Sequence, residues 1–78
     1  MSSAKVLELI EEALEITRGS LTGESSSENV EEWDSLGQLS ILAALDDHFD
    51  GKVADIEAMA EAESVAGIME LLAKHGLT

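Results

Sequence analysis

Apolar residues in this chain return at three- and four-residue steps in separate short segments, a spacing that fits helices and not strands. In the first segment Val6, Leu7, Ile10, Ala13 and Leu14 form one stripe, while Glu8, Glu11, Glu12 and Glu15 fill the other side. Ser2 or Ser3 can cap its start, and Arg18 followed by Gly19 is a good stop, so the spacing predicts a helix over about residues 4 to 17. In the second segment Leu39, Leu42, Leu45 and Phe49 share a face flanked by Leu36 and Ile41, which predicts a helix from near Ser35 to near Phe49. After the turn DGKV, Asp55 can cap a short third helix with Ile56, Met59 and Ala60 inward. Ser64 then caps a fourth, with Val65, Ile68, Leu71 and Leu72 inward, Lys74 and His75 in the last turn and Gly76 as the stop. The expected architecture is all-α: a four-helix bundle with a long loop between helices one and two and a short third helix.

Seventy-eight residues make one domain, spanning 1–78, with a single core. The apolar residues are Leu, Ile, Val and Ala, with one Trp, one Phe and no Tyr, and the pattern assigns them largely to that core. A monomer is therefore expected. With no cysteine, disulfides, zinc ribbons and a thiol nucleophile from the chain itself are excluded, so any thiol chemistry needs an imported group. Seventeen acidic residues against four basic give a net charge of -13, which repels a nucleic-acid backbone and favours basic partner surfaces. The same charge also serves simply to keep a small helical protein soluble. No apolar run reaches the length of a membrane span, and MSSAKVLEL lacks the basic and apolar regions of a signal peptide. A cytoplasmic protein is expected.

From Arg18 to Asp34 the sequence RGSLTGESSSENVEEWD has no sustained period. Loops this long inside a small domain are usually functional or mobile, and Leu21, Val30 and Trp33 are the expected anchors. At its end Asp34 and Ser35 stand before the most apolar helix. Ser35 with Gln38 fits a capping box, the serine oxygen accepting from the backbone three residues on and the glutamine reaching back. The alternative is that Ser35 is a chemical handle, because a phosphate ester on its Oγ would lie at a helix start whose N–H groups and dipole favour an anion. Gly37, in the first turn, is expected to weaken that turn by roughly 1 kcal/mol relative to Ala and to leave the helix start mobile.

The stretch WDSLGQLSILAALDDHF resembles the phosphopantetheine attachment site of acyl carrier proteins, whose motif is Asp-Ser-Leu, then apolar residues at helical spacing, then an acidic pair before Phe. Here these are Asp34, Ser35 and Leu36, then Leu39, Leu42 and Leu45, then Asp46, Asp47 and Phe49. The expected order of helices and the Ser-Val start of the last one resemble the family over nearly the whole chain. The resemblance implies that a phosphopantetheinyl transferase moves 4′-phosphopantetheine from coenzyme A onto Ser35, with Asp34 helping the transferase recognise the site. The arm's thiol then carries acyl groups as thioesters, in lipid or specialised-metabolite biosynthesis, and the carrier itself catalyses nothing. Acyl-loading and acyl-transferring enzymes with basic patches are the implied partners, a role that maps to Asp46 and Asp47 and more loosely to Asp50. Gly37 and Ser40 stand where carriers of fatty acid synthesis commonly have acidic residues, and Val53-Ala54 where they frequently have proline. The Trp-Asp-Ser-Leu form is more like specialised stand-alone carriers that serve a dedicated pathway. Ala43, Ala44, Ala58, Ala60 and Ala62 offer small side chains between helix two and the short third helix, where an acyl chain slips into the bundle in the resembled family.

Two readings from other classes compete. Residues 46–57, DDHFDGKVADIE, read as a twelve-residue calcium loop, place Asp46 first, Asp50 fifth, Gly51 sixth and Glu57 twelfth. Against this, His48, Phe49 and Ala54 fall at the third, fourth and ninth positions. His48 and His75 lie far apart with no neighbouring ligand pattern and read as helix-end side chains, so no metal site is assigned. The other competitor is an acidic helical interaction module with no prosthetic group.

Overall fold

The computed structural model describes residues 3–77. Three α-helices, α1 (Ser3–Leu14), α2 (Ser35–His48) and α3 (Val65–Lys74), are joined by the long loop and by a segment holding a 3-10 helix at Glu57–Glu61. No strand occurs among the described residues; one isolated antiparallel bridge pairs Ser26 with Ser64.

The four-helix bundle expected from the sequence is thus corrected to three α-helices among the described residues. The fourth element is five residues of 3-10 helix, too short to count as a bundle member, and its leading residue is Ile56 with no side-chain cap, not Asp55. A segment this short gains little from its own hydrogen bonds against the cost of nucleating a helix. Ile56 and Met59 point inward as expected, but Ala60 is exposed.

Helix ends follow local chemistry. α3 starts on Ser64, whose oxygen accepts from the Gly67 N–H at 3.0 Å. It stops at Gly76, where φ is 73° and the Gly76 and Leu77 amides donate to the Ala73 and Leu72 carbonyls. α1 stops at Leu14 instead of residue 17, because Glu15 takes the left-handed conformation (φ 57°) and the Glu15 and Ile16 amides close the same pair of bonds onto Glu12 and Glu11. Ser3 is the first residue of α1, and Ser2, the other candidate cap, lies outside the described residues.

The core is built from Val6, Ile10 and Leu14 of α1, Ile41 and Leu45 of α2, and Val65, Ile68 and Leu72 of α3. The loop closes it with Leu21 and Trp33, both buried, while Val30 packs half-buried against it. The loop is also held by polar bonds. Glu11, 3% exposed, uses one carboxylate oxygen to accept from the Gly19 and Leu21 N–H groups at 2.9 and 3.0 Å. Arg18 pairs with Glu8, and Ser25 to Ser27 are pinned beside α3 by the Ser27 amide to the Glu63 carbonyl and the Val65 amide to the Ser25 carbonyl, both 2.9 Å.

α2 is turned differently from the expected face. Its buried residues are Gly37, Gln38, Ile41 and Leu45, with Phe49 following, whereas Leu36 and Leu39 are 74% and 63% exposed. Because α2 is apolar on most sides, periodicity cannot select the inward one. The selection comes from Gly37: a Cβ there would collide with the Glu32 carbonyl oxygen and come within 2.8 Å of Leu14 Cδ2. The absent side chain lets the start of α2 press against the end of α1 and the loop. Gly37 is therefore a packing residue, and the side of the first turn that carries Gly37 and Gln38 is buried while Ser35 and Leu36 stay exposed. No helix among the described residues is long and apolar enough to cross a membrane.

Helix propensity alone gives Gly37→Ala a gain of up to about 1 kcal/mol. The close approach reverses the sign: overpacking against backbone should destabilise by roughly 1–3 kcal/mol. Urea denaturation followed by circular dichroism checks this, and equal or greater stability of the alanine variant would contradict the packing role.

Candidate functional site

The site begins at the junction of the loop with α2. Asp34, in extended conformation, is the cap: its Oδ1 accepts from the Gly37 N–H at 2.8 Å, and its carbonyl accepts the first helical bond from the Gln38 amide at 2.8 Å. Ser35 is the first helical residue and is exposed. The capping box expected of Ser35 and Gln38 does not form, because the cap shifts by one residue and Gln38 turns into the core. A carboxylate at a helix N-terminus satisfies an orphan amide and also complements the dipole, so Asp34 is at least as good a cap as serine. The Ser35 hydroxyl is thereby relieved of the structural duty the sequence offered it.

Gln38 is the residue that local sequence conceals. It is 5% exposed; its Oε1 accepts from Trp33 Nε1 at 2.6 Å, and its Nε2 lies 3.2, 3.4 and 3.2 Å from the carbonyl oxygens of Met59, Ala60 and Ala62. One buried amide thus joins the loop residue two before Ser35, the first turn of α2 and the 3-10 helix.

Ser35 opens on a cavity of about 310 Å³ that it shares with Gln38, Leu39, Leu42, Ala60 and Glu63. Leu42 and Ala60 also line a second groove of about 340 Å³ between α2 and the 3-10 segment, whose walls include Ala43, Val53, Ile56 and Met59. Those two side chains stand between the cavities and line both. The second is at the lower end of the size of small-molecule pockets and is mainly apolar. Of the five alanines singled out between helices two and three, Ala43 and Ala60 line this groove; Ala44, Ala58 and Ala62 do not. Leu36, next to Ser35, stands out into solvent.

The acidic residues expected to meet partners separate into two kinds. Asp46 is half-buried, and its Oδ1 accepts from the Ala54 N–H at 2.8 Å, which ties the turn after α2. Asp47 and Asp50 are exposed, Asp50 with φ 55°. All three lie at the far end of α2, with Asp46 about 16 Å along the helix axis from Ser35 at 1.5 Å per residue. Closer to Ser35 are the carboxylates of Asp34 and of Glu63, the latter lining its cavity.

The calcium reading fits this geometry poorly. α2 runs through His48, Phe49 is buried, and Asp46 is committed to a backbone amide, so the first third of the stretch 46–57 is helix or its cap. No group of three or more acidic or histidine side chains suited to a metal ion occurs among the described residues. His48 packs edge-on against Phe49 with ring centroids 5.0 Å apart, and His75 caps α3. Comparison with protein-family models, characterised proteins and solved structures finds no match to this chain.

Capping by Asp34 and exposure of Ser35 predict unequal effects on stability. Asp34→Ala should cost about 1 kcal/mol, the usual loss of a cap, whereas Ser35→Ala should stay within about 0.5 kcal/mol. Thermal melts of the two variants at one pH and salt concentration test the division; a larger loss at Ser35 would return the capping role to the serine.

Proposed function

We propose that this chain is an acyl carrier that holds acyl intermediates on a 4′-phosphopantetheine arm attached to Ser35. The observation that carries the reading is the exposed Ser35 hydroxyl at the first position of α2, excused from capping by Asp34, on a cavity that shares Leu42 and Ala60 with a neighbouring apolar groove. Ser35 Oγ is the atom that would form the bond to phosphorus, losing its proton as the nucleotide portion of coenzyme A leaves. Bound there, the group supplies the thiol that a cysteine-free chain lacks, on which acyl groups ride as thioesters.

The chain's own residues do the rest. Asp34 fixes the start of α2 so that Ser35 has one orientation, and its carboxylate beside the hydroxyl is a mark a transferase can recognise. Leu36 and Leu39, exposed on the same end of α2, give an incoming enzyme an apolar contact surrounded by charge. The groove of Leu42, Ala43, Ile56 and Met59 offers shelter to an apolar chain within reach of an arm on Ser35. A cytoplasmic monomer that meets basic patches on its partner enzymes fits the composition and net charge of -13. The chain supplies no catalytic residue on this reading.

Incubation with coenzyme A, magnesium and a broad-specificity phosphopantetheinyl transferase should add one phosphopantetheine mass, and Ser35→Ala should add none. Intact-mass spectrometry reads both. Modification of the alanine variant would remove Ser35 as the site; no modification of the parent chain would favour an unmodified interaction module.

The exposed carboxylates predict a salt effect on partner encounter. Because Asp46 holds a turn, the clean reversal is Asp47→Lys with Asp50→Lys. It should slow association with a basic acyl-transferring enzyme several-fold while leaving the helical spectrum unchanged, and salt should slow the parent chain because screening acts over about 8 to 10 Å. Stopped-flow association at two ionic strengths measures both; rates indifferent to salt and to the reversal would remove this end of α2 from docking.

A further inference from the structure

The amide of Gln38 can sit in only one orientation. The Trp33 indole N–H donates and accepts nothing, and the carbonyls of Met59, Ala60 and Ala62 accept and donate nothing, so Oε1 must face the indole and Nε2 the carbonyls. Two N–H bonds shared among three acceptors make Nε2 the polar tether of the 3-10 segment to α2. That segment has little else of the kind. Its own bonds are the short-range ones of Met59 to Ile56 and Ala62 to Met59, and its apolar anchors are Ile56 and Met59. The same segment forms one wall of the apolar groove and, through Ala60, one side of the Ser35 cavity. At the other end of the tether, Trp33 is 2% exposed and is separated from Ser35 only by Asp34.

We propose that Gln38 is a latch: its amide holds the 3-10 helix against α2 and couples opening of the apolar groove to movement of the Trp33–Ser35 segment. Gln38 is a positioning residue. A partner that draws Trp33 outward removes the donor from Oε1, leaves a buried amide half-satisfied, and weakens its grip on the three carbonyls, so the groove loosens when the attachment segment is engaged. The link to cargo rests on the carrier reading. The latch does not, since it concerns the unmodified chain.

Two near-isosteric variants separate its halves. Gln38→Glu in its ionised form keeps an acceptor for Trp33 and loses the donors to the carbonyls, so it is read at a pH high enough to ionise it; Gln38→Met loses both. In each, amide hydrogen exchange at Met59 and Ala62 should quicken on the order of tenfold, as expected for losing the net worth of one or two hydrogen bonds, while Ile10 in α1 and Ile68 in α3 change less than about twofold. A neutral apolar fluorophore, N-phenyl-1-naphthylamine, should bind the variants several-fold more tightly. Trp33 emission should shift to the red in Gln38→Met and stay in place in Gln38→Glu. Exchange that quickens equally in all three helices, or is unchanged at Met59 and Ala62 in a folded variant, would overturn the latch.

Should both variants fail to fold, the parent chain decides by native-state exchange. The Trp33 indole N–H and the Met59 and Ala62 amides should then open together, more readily than Ile10 and Ile68, and independent openings would sink the coupling. Failure of Ser35 to accept phosphopantetheine leaves these results standing. If Gln38→Met is modified normally and an acyl group on the arm changes its Tm by the same amount as it changes the parent's, the latch has no role in cargo while attachment at Ser35 stands.

Discussion

The close approach of α2 to α1 at Gly37 is the constraint on which the rest of the site depends. With no side chain there, the helix start lies against Leu14 and the Glu32 carbonyl, and this fixes the rotation of a helix whose own apolar pattern leaves rotation open. Once Gly37 faces inward, the residue after it must follow, so Gln38 enters the core, where the Trp33 indole and the carbonyls of Met59, Ala60 and Ala62 satisfy it. Ser35 and Leu36, which precede Gly37, and Leu39, one turn on from Leu36, then lie on the outward side, which is why both leucines are exposed and Ser35 is accessible. A helix rotated to bury Leu36 and Leu39 would put Gln38 into water and leave the Trp33 indole without its partner. Burial of apolar surface is thus given up at two leucines to keep a polar connection across three segments, and the surface given up surrounds the one candidate nucleophile of the motif.

Acidic residues hold much of the irregular structure together. Glu11 gathers the loop amides of Gly19 and Leu21, Asp34 takes that of Gly37, and Asp46 that of Ala54. Each carboxylate does for a loop or turn what a strand partner does for a sheet, and charge-assisted bonds to backbone N–H are stronger than neutral ones. The chain has no proline and no disulfide to stiffen its loops, so these bonds matter more. The net charge of -13 therefore overstates what is available to partners, because several carboxylates are already committed to backbone amides.

Much of the fold was legible where a local rule had no rival. Ser64 and Gly76 bracket α3 because a serine before Val65 and a glycine after His75 each permit one inexpensive geometry, and Leu21, Val30 and Trp33 anchor the loop because nothing else in it is large and apolar. Legibility failed where two local solutions compete. Glu15 and Gly19 both can end α1, and the chain stops at the first although glycine suits the left-handed conformation better, since stopping there brings the Gly19 and Leu21 amides onto Glu11. Asp34 and Ser35 both can cap α2, and the choice turns on Gly37 packing against Leu14, a contact between residues more than twenty positions apart. The fourth expected helix failed because alanine content speaks for helix while the carbonyls of 59, 60 and 62 are drawn to Gln38.

The candidate site divides along the same line. Ser35, Asp34 and Leu36 were legible because they are contiguous, and their neighbourhood was not, because Gln38, Ala60 and Glu63 meet Ser35 only after α2 has been rotated and the 3-10 segment laid beside it. Contiguous residues can be read as a motif; residues brought from a distance decide what surrounds it. In this chain the second set contains a buried amide and the Leu42 and Ala60 side chains that the Ser35 cavity shares with a mainly apolar groove. A surface built only to display an acidic helix to partners has no use for that groove or for the polar tether that walls it. The acyl carrier we propose would use both, since a cargo held next to Ser35 would need a place to lie and a means of release.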